Sequence, residues 1–194
     1  MNDFERCIAE GGVALFPADT VYGLACDPES EAAVERLYAI KGRPGDRPAA
    51  VMFFDVGAAL AAVPALGPRT RGALQRLLPG PVTLLVPNRD RLYPLACGPA
   101  PERLGLRVPD APLLADVRRP VLQSSANPSG GADARRVGDV DERIRAEVDL
   151  VIDGGELPGT PSTVIDLTGY EDAGAYEVVR EGALTSDELE RRLR

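Results

Sequence analysis

The 194-residue chain is 44% hydrophobic and 27% charged, which is enough for one buried core and fits a single domain over residues 1–194. Its formal charge of −8 excludes the broad basic face that non-specific nucleic-acid binding needs, so an anionic ligand must meet local clusters of cations. The chain has no histidine, which removes Ser-His-Asp and Cys-His catalysis and the HExxH zinc site.

Asp3 is the expected cap of a first helix whose Phe4, Cys7 and Ile8 share a face and which Gly11 and Gly12 close. Residues 13–16 read as a buried strand. Asp19-Thr20 then reads as a turn and Tyr22 as core. Ser30 caps a helix over 31–40, since Val34, Leu37 and Tyr38 recur at helical spacing and Gly42 with Pro44 stops it. Further strands are expected at 50–54, 82–86, 104–108, 121–124, 150–152, 163–167 and 176–179. Helices are expected at 68–78, 112–117, 140–147 and 186–193. The two kinds alternate irregularly, so the fold class is mixed α/β (α+β): a twisted mixed sheet flanked by helices. Residues 87–101, opened and closed by proline, read as a surface loop.

The three cysteines, Cys7, Cys26 and Cys97, form no CxxC pair and fit a reducing cytoplasmic compartment. The N-terminal Met1-Asn2-Asp3-Phe4-Glu5-Arg6 lacks the pattern of a signal peptide, and no segment has the length and apolarity of a membrane span. No metal-ligating motif is present.

Lys41, Arg43 and Arg47 gather three cations in a short loop of an acidic chain, stiffened by Gly42, Pro44, Gly45 and Pro48. Cations commonly sit at helix C-termini for the dipole alone. Three together in a rigid loop favour an anion, because guanidinium forks grip phosphate. Ser124-Ser125-Ala126-Asn127-Pro128-Ser129-Gly130-Gly131 follows a strand and offers hydroxyls and amides beside glycines, although the same residues make ordinary turns. Residues 154–163, another glycine- and hydroxyl-rich loop, precede a strand in the same way. Arg107 lies between Leu106 and Val108 on an expected strand and needs a carboxylate or phosphate partner. Arg180 poses the same question more weakly. Neither a GxxxxGK[ST] loop nor a GxGxxG fingerprint occurs.

Taken together, FPADTVYGLACDP, IKGRPGDRP, LPGPVTLLVP, LGLRVPD, SSANPSGG, PGTPSTVIDLTG and VVREGA resemble, in order and spacing, the threonylcarbamoyl-AMP synthase family with its YrdC-like fold, from about Gly12 to Ala183. The resemblance implies a nucleotidyltransferase that joins L-threonine, bicarbonate or carbon dioxide, and ATP into threonylcarbamoyl-AMP and pyrophosphate. It also implies Mg2+ travelling with ATP, and hand-over of the product to a tRNA threonylcarbamoyl transferase complex. Lys41, Arg43, Arg47, Ser125, Asn127 and Arg180 resemble the ATP-binding residues, with Lys41 and Arg43 catalytic through charge neutralisation. Thr20, Tyr22, Arg107 and Ser162 resemble the threonine pocket, with Arg107 a fork for the carboxylate. The family's PTET-like start reads Pro17-Ala18-Asp19-Thr20 here, and Met52 stands where some members carry a threonine-contacting histidine. Two other readings keep the fold: an RNA-binding module without synthase activity, against which the acidic charge argues, and a carbamoyl-adenylate-forming domain like those of hydrogenase maturation proteins, which sit in longer chains.

Overall fold

A computed structural model describes residues 2–194; Met1, which opens the N-terminal segment, lies outside them. Helix α1 (Asp3–Ala9) is capped by Asn2, whose side chain accepts from the Glu5 amide at 2.8 Å, so the cap lies one residue before Asp3. Strands β1 (Ala14–Pro17) and β2 (Tyr22–Cys26) form an antiparallel hairpin with Pro17 opposite Tyr22. Helix α2 (Glu31–Lys41) starts at Ser30, which accepts from the Ala33 amide, and ends at Gly42, whose φ of 59° lets the chain turn away. There follow β3 (Ala50–Met52), α3 (Val56–Ala62), α4 (Pro68–Leu77), β4 (Val82–Pro87), α5 (Pro94–Cys97), β5 (Arg103–Arg107) and β6 (Val121–Ser125). The remainder comprises α6 (Glu142–Glu147), β7 (Leu150–Val151), β8 (Thr163–Asp166), α7 (Tyr170–Ala173), β9 (Glu177–Arg180) and α8 (Ser186–Leu193).

Among the described residues nine strands join one mixed sheet in the order β7-β1-β2-β6-β3-β5-β4-β8-β9. Its pairings are parallel at β1/β7, β3/β5 and β4/β8 and antiparallel elsewhere. This is the mixed α/β class expected. Alternation along the strands gives each face its own job. On one face, Val51, Leu84, Leu104, Leu106 and Leu122 merge with Leu37 of α2 and Leu74 and Leu77 of α4 in the main core. On the other, Phe16, Met52 and Val121 pack under Phe4 and Ile8 of α1 and under Leu114 and Val117. That second cover stops partway along the sheet. Beyond it the register row Gln123–Ala50–Gly105–Leu85 is left as the floor of an open cavity.

Further local expectations differ from the structure. β2 was not anticipated beyond a buried Tyr22; its run of small residues carries Gly23, which lets the strand lie against the Gln123 side chain and the Phe16 ring. The apolar α3, capped by the Asp55 carboxylate, also had no counterpart. Residues 87–101 are not a loose loop: Asn88 is 3% exposed and donates to Leu92 O (2.9 Å) and Pro101 O (3.0 Å) while accepting from the Leu92 amide. These bonds organise α5 and bury Ala96 and Cys97. The helix expected at 112–117 is instead one 3-10 turn, Pro112–Leu114, and Leu114 and Val117 both pack inward.

Candidate active site

The cavity holds about 330 Å3. β5 presents Arg103, Gly105 and Arg107 to it at every second position, β6 contributes Gln123 and Ser125, and β4 contributes Thr83. Four arginines, Arg43, Arg103, Arg107 and Arg180, line it against one carboxylate, Asp133. Two of them are already paired. Arg103 meets Asp166 at 3.1 Å, and Arg107 meets Asp19 at 2.5 Å with both side chains almost wholly buried. Among the described residues Arg43 and Arg180 have no ion-pair partner, so the cavity carries positive charge that Asp133 offsets only in part.

Lys41, the last residue of α2, points under the Ser124–Gly131 loop. Its ammonium donates to Asn127 O at 2.8 Å, to Asn127 Oδ1 at 3.2 Å and to Ser125 O, so all three protons are used. Its own carbonyl accepts from the Ser129 amide at 3.0 Å. Ser125 Oγ donates to Asn127 Oδ1 at 2.5 Å, and Asn127 Nδ2 donates to Gly131 O. Lys41 thereby fixes the loop, and the loop turns Ser125 toward the cavity. Burial pulls the Lys41 ammonium down to about 8, helped by the Arg43 charge and opposed by Asp133.

Arg43 leaves the left-handed turn at Gly42 and reaches the cavity half-buried. Its Nη1 donates to Ser124 Oγ at 3.1 Å, its Nη2 to Pro48 O, and its guanidinium lies 5.5 Å from the Tyr38 ring centre. Its Nε is buried with no partner. Burial lowers its pKa. An anion at this position would relieve that cost.

At the other end, Arg107 Nη2 donates to Asp19 Oδ1 at 2.5 Å and to Thr20 Oγ1 at 2.7 Å, which occupies both of that nitrogen's hydrogens. Nη2 of the carboxylate fork expected of Arg107 is therefore already committed in this arrangement, while Nη1 and the buried Nε make no hydrogen bond among the described residues. Ser162 shares a hydrogen bond with Thr83 at 3.0 Å and receives Arg180 Nη2 on its carbonyl at 2.7 Å and its hydroxyl at 3.3 Å. Burial lowers the Arg180 pKa, with Asp133 opposing and Arg107 reinforcing the shift. Gly182 makes this approach possible: a Cβ there would sit 2.6 Å from both Ser162 C and Thr163 N.

Of the ten residues singled out from the sequence, Arg43, Ser125, Arg107, Ser162 and Arg180 line the cavity. Lys41, Asn127 and Thr20 stand directly behind lining residues as their hydrogen-bond partners. Two lie elsewhere. Tyr22 is fully buried; its hydroxyl donates to Gly155 O at 2.9 Å and accepts from the Gly154 amide, holding that loop and not the cavity. Arg47 is exposed and outside the lining, and its backbone carbonyl accepts from Tyr38 Oη at 3.0 Å. Met52 is packed in the second cluster. Asp19, Arg103 and Asp133 went unread; the Arg103/Arg107 alternation was a visible signal for Arg103, whereas nothing local marks the other two.

The Sua5/YciO/YrdC family, described as telomere recombination, matches residues 6–182. The chain belongs to this family. A Pseudomonas aeruginosa (strain UCBPP-PA14) member called threonylcarbamoyl-AMP synthase is 35% identical over 167 residues, covering 84% of this chain and 89% of that protein. Two solved structures of Pyrococcus abyssi Sua5 are similar over nearly the whole chain. A double variant gives a TM-score of 0.86 at 30% identity, with 96% of this chain and 57% of that one covered. A complex with L-threonine gives 0.84 at 29%, with 95% and 54% covered. This chain thus spans a little over half the length of each Pyrococcus member.

Proposed function

We infer that this chain is an L-threonylcarbamoyladenylate synthase, a nucleotidyltransferase that uses ATP and L-threonine. The observation that carries the reading is the pair of arginines without carboxylate partners, Arg43 and Arg180, in one cavity with Ser125 and Arg107. Relatives named threonylcarbamoyl-AMP synthase and the Sua5 complex with L-threonine supply the substrate class.

In this reading the triphosphate lies against Arg43, Ser125 and Arg180, and the amino acid lies toward Arg107, Thr20 and Ser162. The threonine amine, having lost a proton, captures carbon dioxide derived from bicarbonate, and the product loses a second proton to become a carbamate. A carbamate oxygen then attacks the α-phosphorus, the P–O bond to the β-phosphate breaks, and pyrophosphate leaves. Catalysis is positioning and charge neutralisation, for which a site without histidine or a protein nucleophile is sufficient. Among the described residues no three His, Cys, Asp or Glu side chains converge, and the cavity's donor set is one carboxylate. That set suits a Mg2+ held mainly by phosphate oxygens and water, whose contribution when bound is to offset phosphate charge. The adenylate then passes to a tRNA threonylcarbamoyl transferase complex. The acidic surface suits release of the product over docking of the RNA on this chain. Among the described residues no helix is long and apolar enough to cross a membrane.

Purified protein given ATP, Mg2+, L-threonine and bicarbonate should release pyrophosphate only when both threonine and bicarbonate are present, with threonylcarbamoyl-AMP identified by mass. Arg43→Ala should slow this at least a hundredfold. A folded Arg43→Ala protein with wild-type turnover would remove the phosphate clamp from the mechanism, and pyrophosphate release indifferent to threonine would refute the synthase reading.

A further inference from the structure

Asp133 is the anomaly of the cavity. It is half-buried, it alone among the described residues brings a carboxylate to the lining, and none of the four lining arginines forms an ion pair with it. Its backbone has little freedom to carry the charge away. On one side Gly131 is tied through its carbonyl to Asn127 Nδ2 and through its amide to Pro128 O at 2.8 Å. On the other, Ala134 is buried and its carbonyl accepts from the Tyr22 amide at 2.9 Å. Asp133 is also near enough to Lys41 and Arg180 to favour the charged form of each. The carboxylate is therefore held at the end of the cavity that the proposed function gives to the triphosphate.

A fixed carboxylate beside a polyanion opposes binding unless a cation lies between them. Mg2+ bound to nucleotide takes oxygen ligands, keeps several waters, and accepts one or two carboxylates along with the phosphates. We propose that Asp133 is the protein ligand of the divalent cation that enters with the nucleotide, and that it makes nucleotide binding by this chain strongly metal-dependent. The proposal rests on the nucleotide-binding part of the function above and is independent of the amino acid and of turnover.

Titration calorimetry with ATP, without threonine or bicarbonate, tests it in excess EDTA and in excess Mg2+. Wild-type protein should bind at least tenfold more tightly with Mg2+. Asp133→Asn should bind metal-free ATP at least tenfold more tightly than wild type does, and its gain from Mg2+ should fall below threefold. Asp133→Glu, which keeps the charge, should retain most of the gain. With Mn2+ and ATP as probe, the enhancement of water-proton relaxation on adding protein should drop in Asp133→Asn. A wild-type metal gain in Asp133→Asn overturns the proposal and leaves the synthase reading standing. So does a variant that weakens threonine binding while keeping the metal gain, since the carboxylate would then serve the amino acid's ammonium. No ATP binding by wild-type protein in either buffer overturns both.

Discussion

Replacing Lys41 by methionine separates a residue that positions the nucleotide loop from one that acts on phosphate. The substitution keeps the length and apolar stem and removes the ammonium that donates to Ser125 O, Asn127 O and Asn127 Oδ1. Hydrogen bonds from a charged donor contribute roughly 1.5–3 kcal/mol each. Against them stands the cost of burying the charge: a fall from 10.5 to about 8 corresponds to about 3 kcal/mol. With the three bonds at the low end of their range, the net loss of global stability is about 1 kcal/mol. The effect on nucleotide is larger. If the residues from Ser125 to Pro128 must be ordered again at each binding event, at about 1 kcal/mol of backbone entropy each, ATP affinity falls by nearly a thousandfold. Calorimetry gives the affinity and urea unfolding gives the stability. Steady-state kinetics give the split: a positioning role raises KM for ATP and leaves kcat at saturating ATP within tenfold, whereas direct action on the reacting phosphate collapses kcat. Lys41→Met protein that loses about 1 kcal/mol yet binds ATP within threefold of wild type would refute the reasoning.

Three further outcomes follow from the same geometry. Lys41 needs its third proton to hold all three loop oxygens, so ATP affinity should decline as pH rises through about 8, with proton uptake on binding detected by calorimetry in two buffers of different ionisation heat. The stability term runs oppositely: the folded pKa is depressed, so the cost of the buried charge is present in full below about 8 and is relieved between there and the unfolded value near 10.4. Tyr22→Phe should cost about 0.5–1.5 kcal/mol by removing the hydroxyl's bonds to the exposed Gly154 amide and Gly155 carbonyl, and should leave KM for threonine within threefold; a tenfold rise would return Tyr22 to the amino-acid pocket. Arg47→Ala should leave ATP affinity within threefold, and a larger loss would mean that the exposed arginine swings inward in the bound state.

What could be read from the chain follows from where the decisive physics acts. Ser30, Gly42 and the spacing of Val34, Leu37 and Tyr38 are local signals, and α2 appears where they put it. β4, which buries alternate residues, was legible for the same reason. β2 was missed because its glycine and alanine look like a bend until Phe16 and Gln123 pack against them. α5 was hidden among prolines because the side chain that organises it, Asn88, works through hydrogen bonds to backbone groups up to 13 residues away. In the site, Arg107 was marked by its apolar neighbours, but its partner Asp19 lies 88 residues earlier, beyond any local pattern. Arg47 shows the reverse: adjacency in sequence to Arg43 does not fix direction once Gly42 and the prolines have turned the chain, and its side chain is exposed outside the cavity lining.

Gly182 has no functional group, yet the last cation of the site hangs on it. The strand end that carries Arg180 lies against the Ser162–Thr163 backbone only because nothing projects from position 182. A single methyl there would act as a wedge, prising β9 from its neighbour and lifting the guanidinium off its carbonyl seat. Inactivating changes are therefore to be expected at a position that touches no substrate, and they would present as a weakened grip on polyphosphate in a protein whose catalytic side chains are all intact.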